Sequence, residues 1–536
     1  MRMKNIAGRV MGVGICAMVL AGCTSSFEGF NTNKHEATEE QMSHDNLKTG
    51  AFFRQLQRSV VFFKDGTYYD SDYQISQNLL ADSYAGYLAP TINSNSGVHT
   101  GSYYMTENWS KALFDYTFTS AMPAWQQMTS AAEELGQEEL AALATVVKIA
   151  SMHRVTDYYG PIPYCHFGEG LKSTYDSQED VYTMFFEELD NAIDVLTEYA
   201  VGNPDATILG DYDYVYSGDA TKWVKFANSL RLRLAMRVVY ANPTLAQTEA
   251  EKSIANTIGV MTASTDVTSL KHSADLTYHH PIYEINKNMN DGDTQMGASM
   301  DSYLNGYGDP RLAVYFSPAS DGGYHGVRNG IHTTTWDAYR NSSGLVSAPA
   351  ADASNTEIVW MTASEVYFLR AEGALRNWAM NGTAQDLYEQ GVRTSFEECG
   401  VGSADAYLAD ATSKPADFVD NTGNNNSIGA MGTITVAWDE DADFETKLER
   451  IITQKWIAIY PNGPEAWAEY RRTGYPRLFP VVNNDSNGAV NTDEQIRRVP
   501  FSVDEYRDNP AGVAAGVAAL GGADNAGTKL WWDKKN

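Results

Sequence analysis

Cysteine is scarce in this chain of 536 residues, with four in all at positions 16, 23, 165 and 399. A disulfide-stapled scaffold is therefore excluded. Two of the four belong to the N-terminal signal and the anchor, leaving Cys165 and Cys399 for the folded part. Each sits in an apolar helix-edge context that suits a buried free thiol, with one bridge between them as the alternative in an oxidising envelope. Basic charge is also thin, since 39 Lys and Arg face 68 Asp and Glu for a formal net charge of −29. No Lys/Arg block interrupts this excess, which excludes nucleic acid as a main partner and disfavours polyphosphate ligands. No apolar run approaches the ~20 residues that a spanning helix needs. Catalytic signatures are missing as well: there is no His-Glu-x-x-His, Gly-x-Ser-x-Gly, phosphate-cradling loop or paired-cysteine metal motif. The expectation is a protein that is not an enzyme and carries no cofactor or metal.

What is present begins at the N-terminus. Arg2, Lys4 and Arg9 precede an apolar run from Val10 to Leu20, and Leu20-Ala21-Gly22-Cys23 follows. This is the pattern of a cleaved lipoprotein signal over residues 1–22, with Cys23 as the lipidated first residue of the mature protein. Lipid chains then tether the protein to a membrane. Cleavage leaves 514 residues with 36 basic and 68 acidic side chains.

Tyrosine outnumbers phenylalanine 32 to 19, and polar-tipped rings in such excess suit a surface that meets wet, partly apolar ligands. Helical periodicity recurs in pairs of segments. Leu140, Leu143, Ala144, Val147, Ser151 and Arg154 share one face, and Val181, Phe185, Leu189, Ala192 and Leu196 share another. Trp223, Phe226, Ala227, Leu230, Leu234 and Val238 form a third stripe with Arg231, Arg233 and Arg237 at its margins. Pro243 then breaks the chain before a further helix to about residue 257. Ala363 to Trp378 and Leu387 to Phe396 read as an antiparallel pair around Asn381-Gly382-Thr383. Paired helices with short turns predict a mainly α, tetratricopeptide-like scaffold without strict 34-residue spacing. Irregular inserts near 64–108, 259–360 and 400–443 interrupt a single unit spanning 23–536, and binding usually resides on such loops.

Several blocks carry a family pattern: Phe27-Glu28-Gly29-Phe30-Asn31 after the leader, Arg154-Val155-Thr156-Asp157-Tyr158-Tyr159-Gly160-Pro161, Lys222-Trp223-Val224-Lys225-Phe226-Ala227-Asn228, Gly308-Asp309-Pro310-Arg311, Gln454-Lys455-Trp456 through Arg471-Arg472-Thr473-Gly474-Tyr475-Pro476, and Leu530-Trp531-Trp532-Asp533. In this order they resemble the SusD/RagB family. The resemblance implies a right-handed scaffold of tetratricopeptide-like helix pairs, anchored by lipid to the outer membrane and facing the cell exterior. It also implies capture of nutrient oligosaccharides, which are passed to a SusC-like TonB-dependent transporter. Peptide capture by a member of the same family is the alternative, and a surface glycoside hydrolase is a third reading. One departure stands out: Thr24-Ser25-Ser26-Phe27 follow Cys23, where surface-exported relatives often carry an acidic run.

The resemblance places ligand in loops of the early and middle inserts. Rings there form two clusters: Tyr68, Tyr69, Tyr103, Tyr104 and Trp109 in the first, and Tyr283, Tyr307, Tyr324, His325 and Trp336 in the second. Asn93, Asn95, Asp291 and Asp293 lie nearby as polar partners. Two weaker signals read as ordinary loops. His279-His280 are adjacent, so on an extended segment they face opposite ways and do not share one ion. Asn483 to Glu494 imitates a calcium loop but lacks flanking helices, and reads as a Gly/Asn turn.

Overall fold

The computed structural model describes residues 47–64, 71–92, 97–168, 173–289, 292–333, 336–340 and 345–535. The leader, Cys23, Tyr68, Tyr69, Asn93, Asn95 and Asp291 lie outside them.

The scaffold is built from helices α1 (Leu47–Arg58), α2 (Ala112–Leu135), α3 (Glu138–Tyr159), α4 (Gln178–Gly202), α5 (Ala220–Arg237) and α6 (Pro243–Ala255). After α7 (Ala298–Tyr307) it continues in α8 (Ala363–Leu375), α9 (Ala384–Cys399), α10 (Phe444–Ala458), α11 (Gly463–Thr473) and α12 (Pro510–Leu520). Sequential neighbours from α2 to α6 pack on one another, as do α8 with α9 and α8 with α10. The fold is thus mainly α, with paired helices as the periodicity predicts.

Local chemistry sets the boundaries. The side chains of Ser177, Asp219, Asn242, Thr362, Thr383 and Asp443 each accept a hydrogen bond from a first-turn backbone N–H, starting α4, α5, α6, α8, α9 and α10. Pro243 occupies the first turn of α6, where its missing N–H costs nothing. Gly160 ends α3 with φ 83, a value that disfavours other residues. At the α8–α9 crossing, a Cβ on Gly391 would lie 2.8 Å from the Phe368 ring, so only glycine permits this approach.

The strands are short. β1 (Leu88–Pro90) pairs antiparallel with β3 (Thr294–Met296), β2 (Thr268–Leu270) with β6 (Ile358–Met361), and β4 (Phe316–Ser317) with β5 (Ala348–Pro349). One large apolar core runs through the helices and into the inserts, with small satellites around Trp336 and Leu448.

The arginines at the margins of the α5 stripe, Arg231, Arg233 and Arg237, are all buried. Arg237 bonds Asp157, Glu465 and Glu469, while Arg233 holds Glu365 through Nε (2.8 Å) and Nη2 (2.6 Å). Lys455 adds a bond to Glu465 at 2.8 Å. Carboxylates from α3, α8 and α11 thus converge on cations of α5, 80 to 232 positions away, and on Lys455 of α10. Each buried charge is tolerated because several partners surround it. The adjacent Arg472 and Arg471 are used differently: Arg472 bonds Glu372 and Glu469, and Arg471 stacks 3.5 Å from the Trp467 ring centre. Cys165 and Cys399 are both free thiols.

Candidate functional site

The three inserts interlock. Leu88 faces Met296 and Pro90 faces Thr294 in the β1–β3 ladder, which joins the early insert to the middle one. Asn329 Nδ2 donates to the Ser83 carbonyl at 3.0 Å, and Gln74 Nε2 donates to Asp293 at 3.3 Å. Gly97 is pressed so close to the Ile331 carbonyl that a Cβ would sit 2.3 Å from that oxygen, and its φ is 93. The third insert joins through the Tyr339 hydroxyl, which accepts from Asn424 Nδ2 at 2.7 Å and from Thr422 Oγ1 at 3.0 Å. Asn421 also meets His325 Nδ1 at 3.1 Å, and the Tyr307 hydroxyl donates to the Ile434 carbonyl at 3.2 Å.

By exposure the predicted rings separate into two groups. Tyr104 is 42% exposed, and Trp109, Tyr283, Tyr324 and His325 are half-buried. These can present a ring face to solvent. By contrast Tyr103 is 3%, Tyr307 4% and Trp336 2% exposed, which corrects their assignment as ligand-stacking rings. Tyr103 packs edge-on to Tyr84, and Tyr307 packs against Tyr303 and Tyr407. Trp336 anchors a small core with Ala89, Val327, Ile331, Tyr339 and Val346, and its Nε1 has no hydrogen-bond partner among the described residues. Asp293, expected as an acceptor for ligand, is buried under the ladder.

Polar groups around the exposed rings are held in fixed orientations. His325 Nε2 bonds Asp321 at 2.8 Å, and His332 Nε2 bonds Asp485 at 2.7 Å. Burial pushes the nearby His99 down to about 4, so it is neutral at physiological pH, and its Nδ1 accepts from the Gly101 N–H at 3.0 Å. Asp301 is raised by burial despite its bond from the Gly326 N–H. At the ladder's base, Asn78 Oδ1, Gln295 Oε1 and both amide atoms of Asn286 are buried with no partner among the described residues. Sequence reasoning missed these amides, because nothing in their spacing separates them from loop polarity. Such groups accept and donate neutral hydrogen bonds, the chemistry that hydroxyl-rich ligands need.

A separate cavity of about 370 Å³ lies between α8, α9 and the β6 segment, walled by Tyr315, Trp360, Tyr460, Cys399 and aliphatic side chains. Its carboxylates are committed to structure: Glu365 holds Arg233, and Glu398 accepts from the Ser364 N–H at 3.0 Å at the start of α8. Burial pushes Glu398 up to about 7 and raises the Cys399 thiol. Among the described residues no three His, Cys, Asp or Glu side chains are placed to hold a metal ion, and no helix is long and apolar enough to cross a membrane. His279 bonds Glu284, and His280 accepts from the Ile282 N–H.

Solved structures give the comparison. A chitin-binding SusD homologue from Flavobacterium johnsoniae is 41% identical over 91% of this chain and 99% of its own, with a TM-score of 0.86. SusD homologues from Bacteroides uniformis and Bacteroides vulgatus are each 37% identical, with TM-scores of 0.85 and 0.84. The first covers 92% of this chain and 100% of its own; the second covers 91% and 98%. No curated protein matches the chain. The family model described as SusD-like, the SusD and RagB outer membrane lipoproteins, matches residues 29–533, and with the helical scaffold and interlocked inserts this means that the chain belongs to the SusD/RagB family.

Proposed function

We propose that this protein captures oligosaccharides at the outer face of the outer membrane and passes them, uncleaved, to a partner TonB-dependent transporter. The carrying observation is the 41% identity, over nearly the full chain, to a homologue that binds chitin. Tyr104, Trp109, Tyr283 and Tyr324 offer ring faces on which the C–H face of a pyranose stacks. Asn421, Asp321 and His325 stand beside the second cluster to meet hydroxyl and amide groups. A lipid on Cys23 holds the protein at the membrane in this reading.

Calorimetric titration of the purified protein with chitin oligosaccharides tests the ligand class. Saturable binding, with the saccharide recovered intact, is the expected result. Failure of every oligosaccharide in a broad panel, with binding of peptides instead, would overturn the glycan reading; recovered cleavage products would overturn the non-catalytic one. Purification of tagged protein in mild detergent should bring down a β-barrel transporter. Cys23→Ala should shift the protein from the membrane to the soluble fraction.

A further inference from the structure

Five basic side chains scattered over the last part of the sequence meet where α11 ends. Arg471, Arg477, Arg497, Lys529 and Lys535 line an open basin of about 520 Å³, with Glu445 and Tyr475 on its wall. The sequence has no Lys/Arg block, yet the fold assembles a basic face. Even the nearest two of the five are six positions apart in sequence, so folding creates a cluster where composition shows no block.

Charge matching within the basin is incomplete. Arg477 meets Glu449 at 3.2 Å, Arg497 meets Asp533 at 2.5 Å and Lys535 meets Glu445 at 2.5 Å. Among the described residues Arg471 meets no carboxylate. Its Nε donates to the Trp467 carbonyl, its Nη1 donates to the carbonyls of Asp157 and Arg497, and its Nη2 has no partner among the described residues. The Asp157 carboxylate is already taken by Arg237, Tyr182 and Trp532. Arg471 is 2% exposed, and burial pushes its guanidinium down to about 9, a sign of how poorly its charge is compensated. Lys529 is exposed on the rim with no ion pair among the described residues.

We propose that this basin binds a phosphomonoester group. Two cations with no direct carboxylate partner among the described residues fit a dianion, and a phosphomonoester carries about −1.5 to −2 at neutral pH, whereas a carboxylate supplies a single charge. A buried cation that lacks an opposite charge is costly to maintain, so an anion entering the basin relieves an existing penalty. Lys529 and the half-exposed Arg477 supply donors from the solvent side, and Arg471 supplies field from below. The basin is formed by the ends of α10 and α11 and the C-terminal tail, and owes nothing to the ring clusters. A phosphorylated sugar and a phosphorylated lipid headgroup present the same group.

The test uses the Cys23→Ala protein, which lacks its lipid acceptor. It is titrated calorimetrically with glucose 6-phosphate, with glucose and acetate as controls, and is sedimented with phosphatidylcholine vesicles with and without phosphatidic acid. Saturable binding of the phosphorylated probe, absent with glucose and acetate, is expected in at least one arm. Lys529→Glu should weaken it about tenfold or more, since reversing one charge a few ångströms from a dianion changes the interaction by over a kilocalorie even in water. Lys529→Arg should retain it, and Lys529→Gln should fall between. Binding of glucose 6-phosphate assigns the basin to soluble sugar phosphates; sedimentation that requires phosphatidic acid, without soluble binding, assigns it to headgroups. Absence of binding in both arms, or binding that Lys529→Glu leaves unchanged, overturns the proposal.

Discussion

Arg472 on α11 grips Glu372 on α8 with both arms of its guanidinium, Nη1 to Oε1 at 2.7 Å and Nη2 to Oε2 at 2.6 Å, and neither side chain is more than 1% exposed. Removing Glu372 leaves Arg472 with Glu469 alone and takes the carboxylate from Arg376 as well, in a medium that solvates charge poorly. Glu372→Ala should therefore cost about 3–5 kcal/mol, the range for breaking a buried pair from one side. Urea denaturation followed by circular dichroism checks this, and a change under about 1 kcal/mol would mean that Glu469 alone compensates Arg472.

The same pair sets an acid limit. Burial alone would raise the Glu372 carboxyl, but Arg472 and Arg376 outweigh it and hold the group at about 2, below its ordinary 4.5. A depressed carboxylate contributes stability that is complete above the unfolded value and is lost as pH falls through the folded one. Midpoints measured from pH 5 downward should fall steadily through this window. Glu372→Gln should flatten that fall.

Asp82 has the opposite sign. Burial pushes its carboxyl up to about 7, only partly offset by donors from Gln77 and Tyr73 and by the Arg154 charge. The folded state then holds a proton that the unfolded chain releases near its ordinary 3.8. Its contribution is complete below that value and is lost as pH rises through about 7. Asp82→Asn, which keeps the shape and removes the charge, should raise the urea midpoint at pH 8 more than at pH 5.

Gly463 opens α11 directly over the same residue. A Cβ there would lie 2.1 Å from Asp82 Oδ1 and 2.6 Å from the Asp82 backbone nitrogen. Backbone cannot swing aside as a side chain can. Gly463→Ala should destabilise by about 1–3 kcal/mol, as overpacking does, although alanine is the better helix former. Thermal melts of the two proteins decide the matter.

Two tryptophans give a paired prediction at the inserts. Trp109→Ala should weaken oligosaccharide binding severalfold while leaving the thermal midpoint nearly unchanged, because the ring is half-exposed. Trp336→Ala should cost about 3–5 kcal/mol by emptying a packed site. Calorimetric binding and melting data on both variants, measured side by side, distinguish a ring that meets ligand from one that holds a loop.

That contrast shows what the sequence made legible. The faces of α3, α4 and α5, the break before Pro243 and the α8–α9 pair all follow from periodicity and caps, which are local properties. The early and middle inserts could be named as the ring-bearing ones. Which rings face solvent could not, since Tyr104 and Tyr103 are neighbours in sequence yet one is exposed and the other buried. Arg237 likewise gave no local sign of its fate, because Glu465 and Glu469 lie more than two hundred positions away. The basic basin escaped notice for the same reason: its members are gathered by tertiary contacts.

The interior lattice of Arg233, Arg237, Lys455 and Arg472 with their carboxylates also alters how the scaffold comes apart. In an ordinary helical repeat array each repeat leans on its neighbours alone, so terminal units can peel away while the middle persists. Here α3, α5, α8, α10 and α11 share counter-ions across the stack, and withdrawing one helix strands charge on several others. Partial unfolding from either end is thereby penalised, and the array behaves as one cooperative body: a stiff platform that keeps three long loops in register with one another.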